Sequence, residues 1–351
     1  MKKQKNMPII FNPDVAHIVY ASDDKFAEIL GISMVSLYEN NKDMVNIIVY
    51  IMDSGISVSN KKRINSVSGL YNRPSPIWIK AKDISKELNI KVNIDRGSLS
   101  QYSRLFISSL LPENLGRVLY LDCDIIINKT INELWNLDLH GKTIAALEDA
   151  FSRYYRININ LHTNDIMFNS GVMLIDIKKW KKQKIESKLL EFIISKKGRI
   201  QQGDQGALNA VLSHNVYCFE PKYNAVTIFY DFTYDEMLSY RKPPDFYPEI
   251  QVREAVENPV LIHFTTSFLS KRPWIKGCQH KYVNEWIKYK KKSPWKEEDF
   301  FEDKTSILEK TYIKILDIVP RKLVLWAAGI LQAYIRPIKN LIGGFIRGKN
   351  R

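Results

Sequence analysis

Two aspartates, Asp122 and Asp124, stand one residue apart between the apolar runs Val118-Leu119-Tyr120-Leu121 and Ile125-Ile126-Ile127. In extended backbone, residues i and i+2 point to the same side, so both carboxylates can meet one ligand. Paired carboxylates at a strand end suit a hard divalent cation that keeps positions open for phosphate oxygens. The plainer reading, two solvated loop aspartates, is weakened by the flanking apolar runs, which put the pair at a sheet edge. Further along, His263 ends the run Val260-Leu261-Ile262. It is either a satisfied core histidine or a third metal ligand, and Lys271 or Arg272 shortly after can meet a phosphate.

Three other clusters carry polar groups at strand or helix ends. Ala21-Ser22-Asp23-Asp24 follows the first apolar run, where an aspartate either accepts bonds from a base or ribose or caps a helix. Phe168-Asn169-Ser170-Gly171 leads into Val172-Met173-Leu174-Ile175, with Gly171 permitting close backbone approach. In Gln201-Gln202-Gly203-Asp204-Gln205-Gly206, Asp204 either caps a short helix or joins Gln205 in facing sugar hydroxyls.

The elements that must position these groups alternate between strand and helix. His17–Ala21, Val45–Ile51, Ile77–Ile79 and Arg117–Leu121 read as strands. Phe26–Tyr38, Ser57–Leu70 with Ser59 as a cap, and Ser100–Leu111 before Pro112 read as helices. Apolar strands alternating with helices predict an α/β fold with a mainly parallel central sheet covered on both faces. Ligands then sit at the carboxyl ends of the strands, where the acidic clusters fall.

The 351 residues carry a net charge of +14, and +11 of it lies between Lys271 and Arg351. A nearly neutral body with a basic tail seeks an anionic partner. From Lys304 onward, ten basic residues accompany Leu323, Leu325, Trp326, Ile330, Leu331, Tyr334, Ile335, Leu341, Ile342 and Phe345. That mixture suits helices lying on an anionic membrane surface, or an ordinary helical cap on the body. Nucleic acid is not expected, because no recognition motif accompanies the charge. Three scattered cysteines argue against a zinc site or disulfide framework. The opening Met1-Lys2-Lys3 lacks the apolar stretch of a secretion signal, and no run is long enough to span a membrane.

Taken in chain order over about residues 16–275, these clusters resemble glycosyltransferase family 8, a group of retaining sugar transferases. Tyr102-Ser103-Arg104, Glu148-Asp149 and Lys178-Lys179-Trp180 add to the match. The resemblance implies a GT-A fold over 15–280, with 281–351 as a C-terminal extension. It implies transfer of a hexose, galactose or glucose, from a UDP-sugar to a hydroxyl of a glycan or glycolipid, with Mn²⁺ or Mg²⁺ assisting. By position, Asp122, Asp124 and His263 would hold the metal, and Ala21 and Asp23 would contact uridine. Cys123, Ser170 and Lys271 would join them around the donor, with Lys271 or Arg272 at the diphosphate. Arg104, Asp149, Asn169, Asp204 and Gln205 would line the donor sugar, the catalytic group being Asp149, Asp204 and Gln205. Many relatives carry Asp-Gln-Asp where Asp204-Gln205-Gly206 stands. The expected place of work is the inner face of the cytoplasmic membrane, on the cytoplasmic side. The rival expectation is a catalytically silent nucleotide-sugar- or membrane-binding protein.

Overall fold

A computed structural model describes residues 15–93, 99–303 and 319–341. The opening segment read for a signal lies outside the described residues, as do the tail positions Ile342 and Phe345. A seven-stranded sheet forms the centre, in the order β3-β2-β1-β4-β7-β6-β8. Its strands are β1 (Val15–Ser22), β2 (Asn46–Asp53), β3 (Ile77–Lys80), β4 (Arg117–Leu121), β6 (Ile144–Glu148), β7 (Phe168–Asp176) and β8 (Val216–Cys218). Four of the pairings are parallel; β7 runs antiparallel to both of its neighbours. Every residue of β7 up to Ile175 is buried, as a strand covered on both faces requires.

A three-stranded sheet completes the site side, in the order β5 (Ile125–Ile127), β10 (Leu261–His263) and β9 (Ala225–Val226). Its register sets His263 opposite Ile125, and the Phe264 amide bonds the Asp124 carbonyl at 3.0 Å. Residues 140 positions apart in the chain are therefore neighbours through the ladder.

Two local expectations change. Ser57, not Ser59, caps the helix α2 (Val58–Leu70), accepting from the Asn60 amide at 3.3 Å, because the chain is still extended at Ser57. The stretch read as one helix before Pro112 is a 3₁₀ turn, Leu99–Phe106, followed by a short α-helix, Ile107–Leu110. The tighter winding buries Tyr102, Arg104 and Phe106 against the sheet.

The helix α1 (Ala27–Glu39) is buried from Ile29 through Tyr38 because a second layer lies over it. That layer is the aromatic, lysine-rich segment after residue 280. Trp286, Tyr289 and Trp295 are all buried in the same core as α1. Gly31 makes room for Trp295: a Cβ there would stand 2.2 Å from the indole ring. Lys290 pairs with Glu28, and Lys292 with Glu39 at 2.9 Å. Packing therefore continues without a gap across residue 280. A last helix, Arg321–Ile330, runs on through a π turn, Leu331–Ile335, to residue 341. Gly329 seats it on the helix Tyr234–Arg241, where a Cβ would stand 2.6 Å from the Ser239 carbonyl. Among the described residues no helix is long and apolar enough to cross a membrane.

Candidate active site

Asp122 lies one residue past β4, and its amide donates to the Gly171 carbonyl of β7 at 2.8 Å. Together with β5 and β10 this brings Asp122, Asp124 and His263 into one cluster, with ligand atoms all within 4.8 Å of one another. His263 Nε2 stands 3.2 Å from Asp124 Oδ1 and 3.9 Å from Asp122 Oδ2. Gly171 is required here: a Cβ would meet His263 Cε1 at 2.2 Å and Asp122 Oδ2 at 2.8 Å. Two carboxylates and one imidazole fit a divalent ion such as Mn²⁺.

A hydrogen-bond relay fixes the histidine. The Gly171 amide can only donate, and it donates to Asn169 Oδ1 at 3.0 Å. Asn224 Nδ2 donates to the same oxygen at 3.0 Å. The Asn224 oxygen must then face His263 Nδ1, 2.9 Å away, so Nδ1 carries the proton. Nε2 faces Asp122 and Asp124, where a bound cation would take the place of its proton, the arrangement that a metal ligand needs. Asn224 has no solvent exposure. Sequence reasoning missed it, since an asparagine before a short strand reads as an ordinary turn residue.

Arg104 organises the opposite wall. Its guanidinium contacts Asp122 Oδ1 and Asp204 Oδ2, each at 2.9 Å, and donates to the Ser170 carbonyl at 2.8 Å. Its Nε–H points to the Gln101 carbonyl at 3.1 Å, so the Asp204 contact is Coulombic rather than an aligned hydrogen bond. Burial pushes Asp204 up to about 6, against the pull of Arg104. Burial also opposes ionisation of Asp124, yet His263 and Arg272 hold it down at about 2. Tyr120 donates to Asp122 Oδ1 at 3.0 Å and lies under the Arg104 guanidinium.

These groups line a single cavity of about 430 Å³. Of the residues singled out from the sequence, Ala21, Arg104, Asp122, Cys123, Asp124, Asp149, Asn169, Ser170, Asp204, Gln205, His263 and Arg272 all line it. Asp23 does not; it caps a 3₁₀ turn by accepting from the Lys25 amide at 3.1 Å. Lys271 is turned toward Asp303 at 3.1 Å, whereas Arg272 reaches Asp124 at 3.4 Å. Cys123 donates its thiol to the Ala21 carbonyl, and burial pushes that thiol up, so it is a packing group rather than a nucleophile. Gln205 accepts from the Ser170 amide at 3.2 Å and donates to Asp149 at 3.4 Å.

A nucleotide-sugar fold with an acidic, histidine-bearing cleft at its strand ends defines a glycosyltransferase. Residues 17–277 match the glycosyl transferase family 8 model, and the chain belongs to that family. General stress protein A of Bacillus subtilis is 31% identical over 285 residues, covering 80% of this chain and 95% of that protein. The lipopolysaccharide 1,2-glucosyltransferase of Escherichia coli K12 is 26% identical over 310 residues, covering 84% and 82%. The solved structure of the galactosyltransferase LgtC with donor and acceptor sugar analogs superposes with a TM-score of 0.66 at 22% identity, covering 79% of this chain and 96% of that one. That likeness speaks for the fold.

Proposed function

We propose that this enzyme transfers a hexose, galactose or glucose, from a UDP-sugar to a hydroxyl of a surface glycan or lipid-linked acceptor, with retention of anomeric configuration. The observation that carries the reading is the convergence of Asp122, Asp124 and His263 in the cavity that also holds Arg104, Asp204 and Gln205. A divalent ion, Mn²⁺ or Mg²⁺, would be held by Asp122, Asp124 and His263 and would supply Lewis-acid stabilisation to the departing diphosphate. Arg272 adds positive charge where that negative charge develops. Arg104 orients the sugar wall by tying Asp122, Asp204 and the Ser170 backbone into one rigid unit.

Gln205 is an amide whose oxygen already accepts from Ser170, so it is a poor nucleophile. A retaining glycosidase places a carboxylate at such a face. Attack of the acceptor hydroxyl from the side of the leaving group fits these residues better: the sugar–phosphate bond breaks as the new glycosidic bond forms, the hydroxyl proton passes to the departing β-phosphate oxygen, and Asp149 and Gln205 hold the sugar in place. The test is hydrolysis or transfer from UDP-glucose, UDP-galactose and their N-acetyl forms, with and without Mn²⁺. Asp124→Ala should abolish turnover while the protein stays folded. Full activity of that variant in chelator-controlled assays would sink the assignment.

A second reading concerns the helix 321–341. Leu323, Trp326, Leu331, Ile335, Ile338 and Leu341 are exposed along it, interleaved with Arg321, Lys322, Arg336 and Lys339. An apolar stripe edged with cations supports attachment to an anionic membrane, which would hold the enzyme on the inner membrane face. Trp326→Ser combined with Leu331→Ser should release the protein from vesicles containing phosphatidylglycerol. Undiminished flotation would refute the attachment.

A further inference from the structure

The cavity lining contains a cation that the donor assignment made above leaves unused. Arg241 ends the helix Tyr234–Arg241 and is half-buried at the cavity wall. Its guanidinium lies 5.2 Å from the centre of the Phe151 ring and 5.6 Å from that of Tyr240. Among the described residues nothing accepts from its Nε, which is sealed from solvent, and no carboxylate oxygen lies within 4.0 Å of it. Arg104 and Arg272, by contrast, each contact a carboxylate. Arginine cannot shed its charge in a protein, so a half-buried guanidinium at a cavity wall with no carboxylate partner among the described residues calls for an anion.

We propose that Arg241 is a specificity-determining residue that binds a phosphate or carboxylate carried by the acceptor. The inference rests on the donor assignment made above. Asp149, Asp204 and Gln205 line the side of the cavity assigned to the donor sugar. A donor sugar bearing its own carboxylate would set a third negative group against two, so the anion belongs to the other substrate. Arg272 and the metal site already answer the diphosphate.

The wall that carries Arg241 is braced from behind. Ser152 donates to the Ala333 carbonyl at 2.7 Å, and Gln332 donates to the Tyr155 hydroxyl at 3.0 Å. Gly329 lets the same helix sit directly on Ser239 and Tyr240. The Phe151 and Tyr240 rings lie beside the guanidinium, a group that can offer paired N–H donors to a planar or tetrahedral oxyanion.

The experiment titrates glucose 6-phosphate and glucose calorimetrically into enzyme preloaded with UDP and Mn²⁺. Glucose 6-phosphate should bind at least about tenfold more tightly, the usual worth of a charge-assisted bond. Arg241→Gln should erase that preference, and Arg241→Lys should keep part of it. Equal binding of the two sugars by the wild type overturns the proposal, as does a preference that survives in Arg241→Gln. UDP affinity measured on the same samples reports misfolding; if Arg241→Gln loses it, the Arg241→Lys result decides. Failure of the wild type to bind UDP with Mn²⁺ strikes the donor reading instead. Faster hydrolysis of UDP-glucuronate than of UDP-glucose would assign the anion to the donor and overturn the acceptor role.

Discussion

Replacing Asn224 by alanine tests whether the relay behind His263 sets metal affinity. The side chain has no exposure and makes two hydrogen bonds, to His263 Nδ1 at 2.9 Å and to Asn169 Oδ1 at 3.0 Å. Removing it leaves the Nδ1–H without its acceptor, while Asn169 Oδ1 keeps the Gly171 amide. Two buried hydrogen bonds at about 1–1.5 kcal/mol each give a stability loss of about 2–3 kcal/mol. The freed ring can also adopt the other tautomer, turning Nε2 into a donor that repels a cation. Loss of such a partner weakens metal binding about 10- to 100-fold, or about 1.4–2.7 kcal/mol. Free Mn²⁺ measured by paramagnetic resonance across a titration reads this directly. Asn224→Asp separates the two effects. It still accepts from Nδ1, so metal affinity should stay within a few fold, but it sets an oxygen against Asn169 Oδ1 and should lower stability. An Asn224→Ala protein that binds Mn²⁺ within about threefold of the wild type would show that the strand register alone orients His263.

Gly171→Ala should lower metal-dependent donor turnover by more than about tenfold and cost about 1–3 kcal/mol, since the new Cβ would meet His263 at 2.2 Å; turnover and urea unfolding check both. The raised Asp204 makes the native state bind a proton more tightly than the unfolded chain, so its contribution falls as pH rises from about 4 to about 6. The depressed Asp124 acts oppositely in the metal-free protein, stabilising above about pH 4 and losing that contribution as pH falls toward 2. Unfolding free energies of wild type and Asp204→Asn from pH 4 to 7 should diverge in slope, and parallel curves would refute the Asp204 assignment. Trp286→Ala should destabilise by about 3–5 kcal/mol without touching the cavity, because the indole is buried over α1; a loss under about 1 kcal/mol would deny that the segment after residue 280 belongs to the core.

The parts of the site that ride on strand ends were the legible ones. Apolar runs around Asp122 and Asp124 located a sheet edge, and the short run ending in His263 located another. What no local pattern contained was the antiparallel turn of β7. Its residues are buried on both faces, so their hydrophobicity carries no mark of direction. Asn224 stayed hidden because a buried relay and a surface turn use the same residue type. The choice between Lys271 and Arg272 also depended on tertiary contacts: neighbours in sequence, they point one to Asp303 and the other to Asp124. The burial of Trp286, Tyr289 and Trp295 was likewise obscured, since lysines around them give the segment the composition of a solvated surface.

The brace formed by residues 321–341 has a consequence for the order in which the enzyme matures. The Asp122, Asp124 and His263 cluster is complete once residue 263 has been made, whereas Ser152, Tyr155 and Asn158 find partners in Ala333, Gln332 and Pro337 roughly 180 positions later. Chains fold from the N-terminus as they emerge, and contacts of such long sequence separation form last. If the proposed donor and acceptor roles hold, a nascent chain would gain its capacity to bind donor before the wall carrying Arg241 is supported, so pausing or truncation late in synthesis should yield a protein that hydrolyses nucleotide-sugar wastefully rather than one that is merely inert.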